Sequence, residues 1–276
     1  MNKEITKAVE NCLLQANDSM ERERQQTAKI EAMKIYHIIP FKYLKECILN
    51  KHFKFSSLAK MAVSEDDPNE GSIEEEKVKL PGEEIEVSLP RISREVFISC
   101  WSKEEASPNW NYFSHDHCSV RIETTIGKLK RMVEDFVMAT CDCFNNREEV
   151  WSSVLAKQDF ITYDKIECIR NNTKELLPQA LNYLPDFMFD SFFYLNEDFC
   201  EESEFRTILY YDKKDKLHYG DRYPKDPTDV YLILNQEDLK SFIQRIEFDP
   251  SATDEFKQQA KSFFINQGFD ENIIIE

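Results

Sequence analysis

The sequence predicts an α+β fold with a mixed, mainly antiparallel sheet core and flanking helices. Short segments rich in β-branched and aromatic residues, typical of strands, are interspersed with segments whose apolar residues recur at helical spacing. These segments follow no strict strand, helix, strand alternation, and the chain shows no internal repeat. Twenty Phe and eleven Tyr in 276 residues predict an aromatic core. We expect an N-terminal helical extension over residues 1–32 and a single α+β domain over residues 33–276.

The extension is predicted from a helical stripe near the N-terminus. Ile5, Val9 and Leu13 recur at helical spacing, and the strongly polar run 21–26 follows them. An amphipathic helix buries its apolar stripe against another element. We therefore expect residues 3–32 to form a helix or helical pair that packs on the domain or on a partner chain, as in a homo-oligomer.

The remaining elements are predicted from local composition and periodicity. The predicted strands are 34–39, 53–57, 96–101, 118–122, 204–211, 230–234, 243–248 and 273–275. The predicted helices are 43–50, 125–139, 147–157, 173–184 and 252–266. Residues 160–163 and 166–169 are predicted to form a hairpin. The acidic, proline-containing stretch 64–94 predicts a long loop, either a functional lid or a surface segment, with a weak hairpin at 85–89.

Charge and hydropathy narrow the class of protein. The net charge of −17 disfavours long duplex nucleic acid, because such binding relies on Lys and Arg replacing phosphate counterions; a local patch for a small nucleic-acid target stays open. No apolar run reaches the length of a bilayer span, and the first ten residues are too charged for a signal peptide. We expect a cytoplasmic protein with no membrane partner. The eight cysteines lack a regular framework, as expected for small buried hydrophobes in a reducing compartment.

The most distinctive stretch, 194–211, carries an acidic cluster into a strand. Side chains alternate along a strand, so Glu202, Glu204 and Arg206 share one face if the extended backbone begins before the cluster ends. A guanidinium beside two carboxylates offsets their repulsion through charge-assisted hydrogen bonds. The pattern indicates either a polarised pair of carboxylates held for chemistry or a solvated strand face in an acidic protein.

The chain lacks the common phosphate and metal motifs. It has no Gly-rich phosphate loop, no nucleophile elbow and no helical pair of zinc-binding histidines, and it contains only five glycines. A bound nucleotide would therefore be held by side chains and strand edges. The His and Cys residues between 115 and 143 do not have the spacing of a zinc site, because Cys-x-Cys does not easily place both sulfurs on one tetrahedral ion. We predict no metal.

Six short motifs occur in the order shown by one bacterial family. They are Tyr36-His37, the helix and strand from 44 to 57, Asp67-Pro68, the strand 97–101, the aromatic segment 110–117, and Glu202-Ser-Glu204-Phe-Arg206. In this arrangement the chain resembles the bacterial family of unknown function numbered twenty-nine seventy-one, close to the abortive-infection proteins of the AbiG type, over about residues 33–275. It departs from the family pattern at Ile38, Ile39, Pro40, Asp66 and Phe199, which affects substrate contacts.

The layout of that family is similar to a diverged ADP-ribosyltransferase, with a His on the first strand, a Ser or Tyr on the second and a Glu opening a late strand. The resemblance implies an α+β transferase that moves ADP-ribose from NAD, its substrate, to a macromolecule, as a toxin or phage-defence effector. The residues implied in NAD binding are Tyr36, His37, Ser56, Ser57, Trp110, Phe113, His117 and Arg206. The residues implied in catalysis are Glu204, Glu202 and His37.

The implied roles follow the chemistry of a glycosidic bond. Glu204 would face the oxocarbenium-like cation left when nicotinamide departs, as carboxylates do in glycosidases. Glu202 would orient the acceptor nucleophile, and Arg206 would fix the two acids or a phosphate. Taken by itself, a lone His in a strand such as His37 is usually a packed or hydrogen-bonded core residue, and Trp110 is equally explained as core.

Two other functions stay open. One is a non-catalytic interaction or regulatory protein, such as an antitoxin or defence-system subunit, that binds a protein partner through its acidic, aromatic surface and N-terminal helices. The other is a nuclease in which Glu202, Glu204 and Asp66 or Asp67 hold a divalent ion. For the transferase, a protein, a nucleotide or a short RNA all remain candidate acceptors.

Overall fold

The fold is described by a computed structural model. It covers residues 19–61, 77–79, 86–88, 95–105, 110, 113–114, 116–140, 144–152, 156–164, 192–210 and 229–275. Helices and mainly antiparallel strands follow one another there without regular alternation, which confirms the predicted α+β class. Within these ranges no helix combines the length and apolar composition needed to cross a bilayer.

The helices and strands are numbered in chain order. The helices are α1 (19–31), α2 (Phe41–Asn50), α3 (Leu58–Met61), α4 (Ile126–Thr140), α5 (Arg147–Ser152), α6 (Gln236–Phe242) and α7 (Asp254–Asn266). The strands are β1 (Lys34–Pro40), β2 (His52–Ser57), β3 (Lys77–Lys79), β4 (Glu86–Ser88), β5 (Val96–Ser102), β6 (Ser119–Thr125), β7 (Ala156–Phe160), β8 (Thr162–Asp164), β9 (Tyr194–Asn196), β10 (Glu204–Tyr210), β11 (Asp229–Ile233), β12 (Arg245–Phe248) and β13 (Ile274–Ile275). A 3-10 helix over Glu197–Glu202 leads into β10.

Nine of these strands form one sheet around β5. The main path runs β11, β2, β5, β1, β6, β12, β13, and β10 and β7 extend it from the other edge of β5. β10 pairs with β5 along its whole length, from Glu204 opposite Ser102 to Tyr210 opposite Val96. The opposite edge of β5 is shared by two strands. It pairs with β2 at residues 97–98 and with β1 at residue 102 only.

This shared edge splits the sheet. Residues 99–101 of β5 lie where β1 and β2 diverge, so neither strand pairs with them there. The two strands are joined by α2, which contacts both of them and buries Leu44, Cys47 and Ile48. A backbone edge that is exposed inside a sheet offers polar groups to a ligand or to neighbouring side chains.

The core is aromatic, as predicted, and lies on both faces of β5 and β10. Because side chains alternate, Trp101 and Phe205 enter the larger cluster and Ile98 and Ile208 enter the smaller one. Phe53 stacks on Trp101 with ring centroids 5.8 Å apart, and both side chains are almost fully buried. Burial of each such side chain contributes roughly 1.5–3 kcal/mol.

The main departure from the predicted elements lies near residue 152. The predicted helix 147–157 ends at Ser152, and Ala156–Phe160 forms β7. β7 pairs with β10 from Ala156 opposite Leu209 to Phe160 opposite Phe205, so tertiary pairing overrides the local helical pattern. The predicted segments 166–169 and 173–184 lie outside the described residues.

The end of the N-terminal extension contacts the domain at the start of α4. Helix α1 is mostly exposed, and Glu31 near its end forms an ion pair with Lys130, whose Nζ lies 2.8 Å from Glu31 Oε1. The Ile126 N–H donates to the Met33 carbonyl at 3.0 Å. A side chain at Gly127 would meet Glu31 at 3.0 Å, so this glycine permits the close approach. Residues 1–18 of the predicted extension lie outside the described residues.

Candidate functional site

The split between β1 and β2 opens into a cavity of about 320 Å³. Its floor is the edge of β5 from Ile98 to Ser102, and β1, β2 and α2 form its walls. Glu202 and Glu204 close the side where β10 begins. The cavity therefore gathers residues from segments that are distant in the sequence, as expected for a ligand site.

Six of the ten residues that the sequence suggested for the site line this cavity. They are Tyr36, His37, Ser56, Phe113, Glu202 and Glu204. The other four, Ser57, Trp110, His117 and Arg206, do not line it. Ser57 is buried and projects from the opposite face of β2 to Ser56, because side chains alternate along a strand.

His37 lies in the gap between β1 and β5. Its Nδ1 is 2.8 Å from the Cys100 carbonyl oxygen, which only accepts hydrogen bonds, so Nδ1 carries the proton. Burial lowers the pKa of His37 from the usual 6.5 to about 4, despite the opposing effect of this hydrogen bond. A neutral ring protonated on Nδ1 presents Nε2 as an acceptor. His37 can therefore receive a hydrogen bond from a ligand hydroxyl at neutral pH.

The aromatic wall of the cavity is formed by Trp101, Phe53 and Phe113. The His37 and Trp101 rings lie 5.1 Å apart, and the Trp101 indole N–H donates to Ser99 Oγ at 2.9 Å. Because Trp101 and Phe53 are each only 2% exposed, they pack behind the cavity, and the exposed aromatic surface of the lining belongs to Tyr43 and Phe113. Phe113 is 45% exposed and belongs to the rim. Such a wall suits a flat heterocycle.

Glu204 and Arg206 form a buried clamp on one face of β10. Arg206 Nε donates to Glu204 Oε1 at 2.8 Å, and Nη2 donates to Oε2 at 3.1 Å. A third donor, Nη1, reaches the Phe192 carbonyl at 2.8 Å. The two residues are 5% and 2% exposed. This bidentate geometry fixes the plane of the carboxylate, and each carboxylate oxygen keeps a further lone pair for a ligand.

The clamp also bears on metal binding. A guanidinium already offsets the charge of Glu204 and occupies one site on each of its oxygens. A divalent ion would have to compete with that fixed cation for the same carboxylate. Within the described part of the chain, no group of three or more His, Cys, Asp or Glu residues has the geometry of a metal site. Asp66 and Asp67, the further ligands of a nuclease, lie outside the described residues.

Glu202 does not share a strand face with Glu204 and Arg206, which corrects the expectation from side-chain alternation. Glu202 ends the 3-10 helix, and Ser203 takes a left-handed conformation with φ of 47°. The strand begins only at Glu204, whose N–H donates to the Tyr163 hydroxyl at 2.7 Å. The turn at Ser203 nevertheless brings both carboxylates to the cavity.

Among the residues that the structure describes, two cationic side chains line the cavity, Lys54 and Arg121. Arg121 is engaged by Glu247, to which its Nε donates at 3.2 Å, and by the Glu105 carbonyl. Its guanidinium also lies 5.6 Å from the centroid of the Trp110 ring, and that tryptophan is 9% exposed. Trp110 is therefore a packing partner of Arg121.

His117 contacts the end of β12 outside the cavity. Its side chain is 59% exposed, and Nδ1 lies 3.2 Å from Asp249 Oδ2. Ser114 donates to the same oxygen at 2.5 Å. Burial raises the pKa of Asp249, but hydrogen bonds from Ser114, from the Ser251 N–H and from His117 outweigh it and lower the pKa. His117 thus helps to attach the segment that carries Phe113.

Several residues of the cavity had no signal in the sequence that marked them as functional. Trp101, Ser99 and Phe53 were visible only as members of buried strands, and Lys54 as a polar residue between two phenylalanines. Cross-strand register would have identified them, because it determines which residues lie beside the gap in the sheet. Register depends on distant pairings and is not readable from one strand alone.

Comparisons with known proteins give one distant structural likeness and no match in sequence. No protein-family model matches the chain, and no curated protein matches it in sequence. Among solved structures the chain is similar to Thermus sp. 2.9 DarT in complex with carba-NAD+, at 8% identity and a TM-score of 0.33, over 89% of this chain and 99% of that chain. A likeness this distant supports no functional argument. The resemblance to the bacterial family therefore stays a hypothesis, and the function is inferred from the site.

Proposed function

We propose that this protein is an ADP-ribosyltransferase-like enzyme that cleaves NAD in the cavity and transfers ADP-ribose to a macromolecule, as a toxin or phage-defence effector. One observation carries the proposal: His37 and Glu204 line the same cavity, although β1 and β10 are far apart in the sequence. A transferase of the kind that the motifs resemble requires these two side chains to meet one substrate.

The chemistry of the cavity suits the nicotinamide riboside half of NAD. The exposed rings of Tyr43 and Phe113 offer an apolar face to the nicotinamide ring. Neutral His37 accepts a hydrogen bond from one ribose hydroxyl through Nε2, and Glu204 accepts one from another through a remaining lone pair. A cavity of about 320 Å³ is at the small end of ligand sites, so the adenosine half would extend beyond it.

Glu204 would then act on the charge that develops during bond cleavage. The glycosidic C–N bond breaks, and its electron pair leaves with nicotinamide, which departs as a neutral molecule. The ribose carbon becomes cationic, and the Glu204 carboxylate, already oriented by Arg206, stabilises it without having to reorient. The acceptor atom forms the new bond to this carbon and gives up its proton to Glu202, a half-buried residue that lines the same cavity.

The test measures nicotinamide release and transfer of label from adenine-labelled NAD in bacterial lysate. We expect release and transfer with the wild type, and a loss of about 100-fold or more with Glu204→Gln, because removal of one preorganised electrostatic group costs roughly that factor. Glu201→Gln is the matched control, because Glu201 is exposed and does not line the cavity. Thermal melting must show that each variant is folded.

Two results would refute the proposal. One is a folded wild-type protein that releases no nicotinamide in lysate, and the other is a Glu204→Gln variant that retains full release. Glu202→Gln separates the two steps: we expect it to reduce transfer more than hydrolysis of NAD, since water needs less help than a macromolecular acceptor to approach the cation. The same variants expressed in bacteria connect the chemistry to growth arrest.

A further inference from the structure

We propose that Lys54 forms a phosphate-binding subsite at the β2 side of the cavity, which binds the diphosphate of a nucleotide whose ribose lies at Glu204. This inference rests on the proposed function and extends it, because it assigns the part of the substrate that selects a dinucleotide over a nucleoside.

Lys54 lies on the wall of the cavity opposite Glu204. β2 and β10 lie on opposite edges of β5, so Lys54 and Glu204 belong to opposite walls of the cavity. Two inter-strand spacings alone separate those walls by roughly 10 Å, and the divergence of β2 from β5 beyond Ile98 adds to this distance. Lys54 precedes Ser56 by two residues on the same strand face, and Ser56 is paired with Ile98. The separation suits a ligand that carries a ribose at one end and a phosphate at the other.

Within the residues that the structure describes, the positive charge of Lys54 is not neutralised at hydrogen-bond distance by a carboxylate. Lys54 and Lys60 share one carboxylate, that of Asp229. Lys60 Nζ donates to both Asp229 oxygens, at 2.9 and 2.8 Å, whereas Lys54 Nζ stays 3.9 Å from Oδ1. Ser56 Oγ also donates to Oδ1 at 2.9 Å. Asp229 is therefore satisfied by Lys60 and Ser56, and the charge of Lys54 remains available to an anion.

The other described basic side chains of the cavity are not available to a phosphate. Arg121 is engaged by Glu247 and by the Glu105 carbonyl, and His37 is neutral above a pKa of about 4. Among the described lining residues, Lys54 is thus the cation that no carboxylate holds at hydrogen-bond distance. Its ammonium lies 5.4 Å from the centroid of the Tyr43 ring, which keeps it at the wall.

The experiment compares ligand affinities of four proteins by calorimetry: the wild type, Lys54→Met, Lys54→Arg and Lys42→Met. Lys42 is the matched control, since its ammonium lies 4.8 Å from the centroid of the same Tyr43 ring but Lys42 does not line the cavity. The probes are ADP-ribose, inorganic pyrophosphate, nicotinamide riboside and a short single-stranded oligonucleotide.

We expect Lys54→Met to weaken ADP-ribose and pyrophosphate about tenfold or more, the effect of one charge-assisted hydrogen bond. Nicotinamide riboside, which has no phosphate, should bind all four proteins equally. Lys54→Arg should retain most of the affinity, and Lys42→Met should behave as the wild type. Equal binding of ADP-ribose to the wild type and Lys54→Met would overturn the subsite. A Lys54-dependent oligonucleotide affinity without any effect on ADP-ribose would also overturn it, because the phosphate would then belong to a polymer.

These outcomes are distinguishable from those of the proposed function. If NAD is cleaved and Lys54→Met leaves the KM for NAD unchanged, the transferase stands and the subsite fails. If NAD is not cleaved but pyrophosphate binding depends on Lys54, the subsite stands and the transferase fails. If the wild type binds neither ADP-ribose nor pyrophosphate, the subsite fails whatever the activity.

Discussion

Replacement of Arg206 by Met should destabilise the fold strongly, because it leaves the Glu204 carboxylate buried without its cation. Glu204 is 5% exposed, and both of its oxygens accept hydrogen bonds from Arg206. Removal of one partner of a buried pair costs about 3–5 kcal/mol. The Phe192 carbonyl also loses its donor, so we expect a total near the upper end of that range. For a chain of this size, about 5 kcal/mol corresponds to roughly 10–20 °C in Tm.

The assay is urea unfolding followed by tryptophan fluorescence, with Arg206→Met, Glu204→Leu and the double variant compared at equal m values. Because the double variant buries no unpaired charge, its loss of stability should be smaller than the sum of the single losses by at least about 2 kcal/mol. Arg147→Met is the matched control, since the Arg147–Asp135 pair is about half exposed and should contribute less than about 1 kcal/mol. Losses that add within about 0.5 kcal/mol would refute the clamp.

Three further predictions concern stability. Burial lowers the pKa of His37 to about 4, so between pH 6.5 and 4 the imidazole is protonated in the unfolded chain and neutral in the folded protein. The free energy of unfolding should therefore rise by up to about 3 kcal/mol from pH 4 to 6.5. His37→Phe should remove this pH dependence, measured by urea unfolding at several pH values. The pKa of Asp249 is lowered in the fold, so its carboxylate stabilises the protein above the ordinary carboxyl pKa, and this stabilisation is lost as the pH falls. Asp249→Asn should therefore weaken the fall of the free energy of unfolding below about pH 4 and leave the pH dependence that His37 causes between pH 4 and 6.5 unchanged. Ser203 has φ of 47°, so Ser203→Gly should raise the free energy of unfolding by up to about 1 kcal/mol and Ser203→Val should lower it by about 1–2 kcal/mol; the reverse order would contradict the left-handed turn.

Much of the sheet could be predicted from the sequence, because its strands are locally consistent. β5 and β10 are rich in β-branched and aromatic residues, β2 alternates Phe53 and Phe55 with polar residues, and the observed bounds of all three lie within a residue or so of the predicted ones. β7 could not be predicted in this way, since its sequence, Ala-Lys-Gln-Asp-Phe, has little strand character. It is a strand because β10 offers it an unpaired edge.

The candidate site was less predictable than the sheet. Alternation correctly grouped Glu204 with Arg206, because both lie within the regular part of β10. It failed at Glu202, because a left-handed serine has no local signature comparable with that of a glycine. Aromatic composition alone also could not assign Trp110 to the packing of Arg121 and Phe113 to the cavity rim, since that choice depends on tertiary contacts.

The availability of Lys54 is likewise a tertiary property. It depends on Lys60, which lies past the end of β2, and on Asp229, which opens the neighbouring strand β11. The sequence shows three separate polar residues, and only the pairing of β2 with β11 brings Asp229 opposite Ser56. Lys54 and Lys60 carry two positive charges beside the single carboxylate of Asp229, so one positive charge is left unbalanced by it.

The turn at Ser203 gives the two carboxylates different physical properties, and this difference bears on which of them can assist an acceptor. Glu204 is buried, lies on a regular strand and is fixed by a bidentate guanidinium, so it can stabilise a cation but has little freedom to follow a moving proton. Glu202 ends a 3-10 helix and is more exposed, so in the proposed transferase it is the carboxylate that a macromolecular acceptor would approach. A strand that continued through residue 202 would have placed both acids side by side in one environment. The strained serine instead separates a rigid electrostatic group from an accessible base within three residues, which suits a reaction that needs both at one carbon atom.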